Sequence, residues 1–279
     1  MDISLICIYQ VTHINDYMHM KQTILSVKQG ELLENLIVKY NQIVTFDQIF
    51  NEAKDNWDYK QAKNLITKLV KNGWLIRIKR GLYAISDLST RGSLSLSPYT
   101  VANLLVANSY VSFESALQQY GMFDQLTDKT VSVSLKKYKN VVLDSVEYSF
   151  IKTKPDYYFG WQEIVIDNHT TRIAVPEKAL IDIANFHKSQ YSIDLVVEKL
   201  LEHQKDLNLD VLNEYLGKLS ITTIKVFGLI FDLIGINSEK LYKIVKTKHG
   251  THWMLSGDTK FNAKWRLYYN PYFDKYQST

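Results

Sequence analysis

The chain has 279 residues, 46% of them hydrophobic and 22% charged, which is long enough for two or three globular domains and too apolar for extended disorder. Eleven glycines and four prolines exclude collagen-like and linker-dominated architectures. A single cysteine, Cys7, excludes an intramolecular disulfide framework and a cysteine-based structural zinc site. The composition suits a reduced, cytoplasmic protein. Its longest apolar stretches, such as Ile221 to Ile236, carry Lys225 and Asp232 and are too short to span a bilayer, so no membrane partner is expected. Residues 1–20 lack the basic start and small-residue cleavage site of a signal peptide and read as a weakly ordered extension.

Helical periodicity begins after Met20. Glu31 to Tyr40 places Leu32, Leu33, Leu36, Ile37 and Tyr40 on one stripe. Thr45 opens a second helix, with Gln48 at capping-box spacing and Val44 and Ile49 spaced for a hydrophobic staple. A third helix starts after Asp58, with Gln61 three residues on. Its stripe is Tyr59, Ala62, Leu65, Ile66, Leu69 and Val70, and Gly73 stands where a left-handed C-terminal cap is wanted. Beyond Gly73 the period becomes alternating through Lys79, turns at Arg80-Gly81 and returns over Leu82 to Ile85. Three short helices followed by a two-stranded ribbon is the order of a winged helix-turn-helix, which in DNA-binding versions lays its last helix in the major groove.

Residues 87–97 are Ser-rich and read as a linker. Helices are predicted over Tyr99 to Ala107 and Phe113 to Tyr120. Strands are predicted over Thr130 to Leu135, Val141 to Leu143, Val146 to Lys152, Glu163 to Ile166 and Thr171 to Val175. Pro176 suits the first turn of a helix running to about His187. Three or four more helices follow between Ser192 and Lys248, and then an aromatic and basic tail.

The charge is concentrated in one place. Between Lys60 and Arg80 lie seven basic residues and no Asp or Glu, a local +7 against +4 for the whole chain. On the third helix Lys60, Gln61, Lys63, Asn64, Thr67, Lys68 and Lys71 lie broadly opposite the apolar stripe, while Arg77, Lys79 and Arg80 fall on the ribbon. Gln and Asn can pair with adenine edges, and Lys and Arg reach phosphates or guanine, so these ten residues are the candidate contacts to double-stranded DNA. The alternative is a solvated face on a winged helix used for protein contacts.

Enzymatic signals are weaker. Pro155-Asp156 has the form of a restriction-type metal motif, but the only downstream Asp-x-Lys candidate, Asp258-Thr259-Lys260, lies about a hundred residues away, so the pair reads as a turn. His249 and His252 read as surface histidines. There is no Gly-rich phosphate loop and no GxSxG elbow, so neither a catalytic residue, a metal nor a cofactor is expected. Trp253, Trp265, Tyr268, Tyr269 and Tyr272, among Lys260, Lys264 and Arg266, are read as closing a core rather than stacking on bases.

Three stretches together resemble AbiEi-type antitoxins: Gly73 to Tyr83 (GWLIRIKRGLY), Tyr110 to Leu117 (YVSFESAL) and Ala174 to Asp182 (AVPEKALID). The resemblance spans about residues 30–190. It implies a type IV toxin–antitoxin system of phage abortive infection, in which a winged helix binds inverted repeats in the operon's own promoter. It also implies that the C-terminal domain counters a nucleotidyltransferase toxin without a stable complex. Glu177 and Glu114 fit first-turn helical positions, and both later motifs read as structural.

The sequence therefore predicts an α+β protein. An N-terminal winged helix-turn-helix (21–86) and a linker (87–97) precede a mixed α/β antitoxin domain (98–190) with a helical C-terminal extension (191–279). The competing readings are a ligand- or partner-sensing transcription factor and a metal-dependent nuclease targeted by its winged helix.

Overall fold

The computed structural model describes residues 24–86, 92–125 and 127–277. The extension expected over residues 1–20 lies outside the described residues. The chain divides into two compact units between residues 95 and 96.

The first unit contains α1 (Val27–Tyr40), β1 (Ile43–Thr45), α2 (Phe46–Ala53), α3 (Tyr59–Lys71), β2 (Leu75–Lys79) and β3 (Leu82–Ile85). All three helices open with reciprocal capping boxes, Ser26–Gln29, Thr45–Gln48 and Asp58–Gln61. Each box satisfies two N–H groups that a helix start leaves unpaired, and losing the capping side chain costs about 1 kcal/mol. The first box starts α1 at Val27, four residues before the periodic stripe predicts. The strands form an antiparallel sheet in the order β1-β3-β2. β1 is a strand that sequence periodicity does not show, because three residues are too few for alternation to register. Leu36, Val44, Ile49, Ala53 and Ala62 are fully buried in the core beneath, joined by Leu69, Trp74 and Leu75.

Part of the stretch read as a linker is hydrogen-bonded. The Gly92 N–H donates to Gly73 O at 3.1 Å, and Gln42 Nε2 donates to Ser95 Oγ at 2.5 Å. Ser97 already belongs to the second unit, where it caps the next helix and donates its N–H to Asp167 Oδ2 at 2.6 Å.

The second unit begins with α4 (Pro98–Leu105), β4 (Ser109–Val111), α5 (Phe113–Gln119), β5 (Lys129–Ser134), β6 (Val141–Leu143), β7 (Val146–Lys152), β8 (Trp161–Ile166), β9 (His169–Ala174) and α6 (Pro176–Phe186). Its six strands form one mixed sheet in the order β6-β7-β5-β4-β9-β8. β5 and β7 run parallel, as do β4 and β9, while the other pairs are antiparallel. Asp144-Ser145 and Asp167-Asn168, with φ between 49° and 65°, make the two-residue turns of the flanking hairpins, where positive φ matches the strand twist.

Helices α7 (Gln190–Glu202), α8 (Leu209–Gly217), α9 (Ile221–Leu233) and α10 (Glu239–Val245) follow. α9 is buried on nearly every side. Gly228 is obligatory there, because a Cβ would lie 2.2 Å from the Trp265 ring. The expectation of a helical extension over 191–279 holds only to Val245. Beyond it, β10 (His252–Trp253), β11 (Lys260–Asn262) and β12 (Leu267–Tyr269) form a second sheet in the order β10-β12-β11. Strands of two and three residues leave no alternation to read.

Candidate nucleic-acid interface

The third helix is held at both ends by backbone chemistry. Asp58 Oδ1 accepts the Gln61 N–H at 2.8 Å, and Gln61 Oε1 accepts the Asp58 N–H at 3.0 Å. At the other end Gly73, at φ 76°, donates to Val70 O, and the Trp74 N–H donates to Leu69 O at 2.9 Å. This is the Schellman closure that a left-handed glycine permits. α3 buries Ala62, Leu65, Ile66 and Leu69. At about 100° per residue, Lys60, Asn64, Thr67 and Lys71 form the outermost stripe, Lys63 leans towards the hairpin, and Gln61 and Lys68 lie on the far flank.

All ten sequence-predicted contact residues, Lys60, Gln61, Lys63, Asn64, Thr67, Lys68, Lys71, Arg77, Lys79 and Arg80, are exposed. The ladder of β2 and β3 shifts register between Arg77 and Lys79, so Ile78 turns into the core while the cations around it stay outside. Among the described residues, Lys60, Lys63, Lys68, Lys71, Arg77 and Arg80 enter no ion pair; the unit's one ion pair is Lys39–Glu52 at 2.6 Å. The Phe46 N–H donates to Gly81 O at 2.9 Å, fixing the hairpin turn beside the start of α2. The rings of Phe46, Phe50 and Tyr59, 5.5–6.5 Å apart, lock α2 to the start of α3. Between α3 and the hairpin runs a groove of about 510 Å³ that brings Lys63, Thr67, Arg77 and Arg80 together beside Tyr59 and Tyr83. Lys60, Asn64, Lys68 and Lys71 stand outside it. Gln61 is engaged as the helix cap that its spacing from Asp58 announces, a role that competes with reading a base.

In the second unit the two remaining motifs meet. Tyr110 and Ser112, from β4 and the start of α5, donate hydroxyls to Asp182 Oδ2 at 3.2 and 2.7 Å. Asp182 also pairs with Lys178 one turn earlier on α6. Lys178 and Asp182 are 1% and 0% exposed. Burial pushes the Asp182 carboxyl up, while Lys178, Ser112 and Tyr110 pull it back. The Lys178 ammonium lies 5.6 and 5.3 Å from the centres of the Tyr110 and Phe159 rings. Gly160, at φ 74°, makes room for it, since a Cβ there would stand 2.9 Å from the lysine stem. Glu177 accepts the Asn208 N–H at 2.7 Å and joins α6 to the start of α8. This buried cluster was missed in the sequence, where Lys178 and Asp182 have the spacing of an ordinary surface pair.

Phe113 is fully buried at φ 60°, an uncommon conformation for a bulky residue. His187 stacks on it at 4.6 Å, and His187 Nδ1 lies 3.9 Å from Glu114 Oε1. These last two residues line a cavity of about 490 Å³ together with Lys129, Asn140, Phe150 and Tyr191.

The metal-like signals dissolve into local structure. Asp156 is exposed in a 3-10 turn, and Asp258 accepts the Leu255 N–H at 2.7 Å. His252 Nδ1 is 2.7 Å from Thr222 Oγ1, and burial holds its pKa below the usual histidine value. No group of three or more His, Cys, Asp or Glu able to hold a metal ion occurs among the described residues. Among them, too, no helix is long and apolar enough to cross a membrane.

No curated protein sequence matches the chain. Its fold is similar to that of the RV2827C protein from Mycobacterium tuberculosis, with a TM-score of 0.65 at 14% identity, covering 88% of this chain and 92% of that one. Residues 31–86, which hold most of α1, the capped helices α2 and α3, the basic face and the hairpin, match the family described as "Transcriptional regulator, AbiEi antitoxin".

Proposed function

We propose that the first unit is a winged helix-turn-helix that binds double-stranded DNA at inverted repeats in its own promoter and represses the operon. The α3 face enters the major groove, and the hairpin lies over the flanking backbone. The observation that carries this reading is the set of six exposed cations that enter no ion pair, three of which converge on the groove between α3 and the hairpin. Surface cations that no carboxylate neutralises keep their full attraction for phosphate. The second unit, on this reading, is the antitoxin portion that counters a nucleotidyltransferase toxin, without forming a stable complex. The family match over residues 31–86 supports it. Two measurements test it: binding and repression of the chain's own upstream region, and growth on co-expression with the adjacent gene. Repression without rescue would leave a regulator and remove the antitoxin role.

A second reading has one observation in its favour. The cavity lined by Glu114, Lys129, Asn140, His187 and Tyr191 has the size and mixed lining of a small-molecule site, which suits a ligand-sensing transcription factor. A metabolite that changes operator affinity in wild-type protein but not in Glu114→Ala would select it.

A further inference from the structure

The C-terminal sheet sorts its aromatic residues onto two faces. Trp265, Leu267, Tyr269 and Phe273 are buried. Lys260 and Lys264, which the sequence places beside the aromatics, are engaged within the fold. Lys260 pairs with Asp274 at 2.6 Å, and Lys264 pairs with Asp232 at 2.8 Å. Trp265 Nε1 donates to the same Asp232 at 2.6 Å.

The other face is different. Trp253 pairs in register with Tyr268, and Tyr268 with Phe261, so the three rings form one row across β10, β12 and β11. The ring centres are 5.2 and 5.0 Å apart; Trp253 stacks on Tyr268 with their planes within 14° of parallel, and Phe261 is tilted by 51° against Tyr268 on the other side. Trp253 is 51% exposed and Phe261 46%. Exposed Trp and Phe leave apolar ring faces in water, which folding stability does not require. Trp253 also borders a cavity of about 120 Å³ whose lining offers Lys188, Asn185, Ser220 and Thr222. Lys188 and Arg266 are exposed and enter no ion pair among the described residues, and Arg266 is tied beside β10 by the His252 N–H, which donates to its carbonyl at 3.1 Å.

We propose that the row Trp253–Tyr268–Phe261 is a stacking platform for single-stranded RNA. The rings at the two ends of the row, Trp253 and Phe261, each take the face of a base, Lys188 and Arg266 meet the backbone, and the hydroxyl- and amide-lined cavity beside Trp253 receives a ribose 2′-OH. The row therefore accommodates about two bases. Stacking is tolerant of sequence because every base has a π-face, and flanking cations supply the salt-dependent part of the affinity. This site is separate from the α3 face and does not rest on the duplex-DNA reading.

The test uses the full chain and a fluorescein-labelled, unstructured ten-nucleotide RNA, followed by anisotropy. Trp253→Ala/Phe261→Ala should weaken RNA binding by at least about tenfold, as expected when two stacked bases lose their partners, with duplex-DNA binding unchanged. Trp253→Phe, which keeps a ring, should stay within about threefold of wild type. Lys63→Ala/Arg77→Ala/Arg80→Ala should leave RNA binding intact. Far-UV circular dichroism should show the platform variants folded, as both side chains are exposed. The proposal is overturned if wild type binds no RNA, if the platform variant binds as wild type does, or if the α3-face variant loses RNA instead. Equal affinity for the deoxy strand would also overturn it. So would an oligomer, formed without RNA, that dissociates in the platform variant, since the rings would then serve contact between copies of the chain.

Discussion

Replacing Lys63, Arg77 and Arg80 together with Ala probes the groove between α3 and the hairpin, and the structure sets the size of the effect. Six cations on α3 and the hairpin enter no ion pair among the described residues, and these three line one groove. Each phosphate neutralised releases condensed counterion, and log K falls with log salt at about −0.9 per contact. Six contacts give a slope of about −5 per bound chain, and removing three gives about −3. Wild-type affinity should then drop about a thousandfold between 50 and 200 mM salt, and the triple variant's only about fortyfold. A dimer on an inverted repeat doubles both slopes and preserves their ratio. Because all three side chains are exposed and unpaired, the substitutions should change stability by less than about 0.5 kcal/mol. Fluorescence anisotropy on the promoter duplex, titrated at five salt concentrations, measures both slopes. A triple variant whose slope equals that of wild type would show that these cations do not face phosphate, and the docking geometry would have to be abandoned.

On α3 itself, Gln61→Ala should lower thermal stability by about 1 kcal/mol through loss of the cap while leaving operator preference unchanged, whereas Asn64→Ala should alter preference among operator variants by about 1–3 kcal/mol; competition binding reads both. Asp182→Ala should destabilise the second unit by about 3–5 kcal/mol in urea, because Lys178 would be left buried and unpaired, while the joint Lys178→Met/Asp182→Leu variant should recover only part of that loss, since the Tyr110 and Ser112 hydroxyls still lose their acceptor. Asp194 is raised by burial but drawn lower overall by Tyr276, Lys275 and Tyr272, so its contribution exists above the unfolded value near 4 and is lost as pH falls below it. Hydrogen exchange should therefore show the turn at Pro271–Tyr276 loosening below about pH 4 in wild type, with a smaller pH response in Asp194→Asn.

Capping and period were readable in the first unit because their signals are local. Thr45–Gln48 and Asp58–Gln61 announce helix starts from three residues' separation, and Gly73 announces the stop. The absence of Asp and Glu between Lys60 and Arg80 is likewise a property of the string itself. The second unit hides its chemistry because the decisive contacts span about seventy residues. Nothing in Lys178 and Asp182 signals that Tyr110 and Ser112 close over them. β4 is invisible for the same reason: three residues between two helices, strand-like only because β5 and β9 flank them. The aromatic tail shows the opposite limit. Composition put Trp, Tyr and Lys together, but only the register of three short strands separates Trp265 and Tyr269, which close a core, from Trp253 and Phe261, which do not.

The contrast between the two units' charges is itself informative. Among the described residues of the second unit both buried lysines are committed, Lys178 to Asp182 and Lys225 to the Gly250 carbonyl. In the first unit the stretch from Lys60 to Arg80 carries seven basic residues and no Asp or Glu, and like charges at this density repel one another. Three reciprocal capping boxes, the Schellman closure at Gly73 and a core of fully buried Leu36, Val44, Ile49 and Ala62 offset that repulsion. None of those devices uses the exposed cations, so the stability of the fold and the charge of its face are set by different residues. A face maintained against its own electrostatic cost, on a scaffold that does not need it, supports the polyanion-binding role proposed for it.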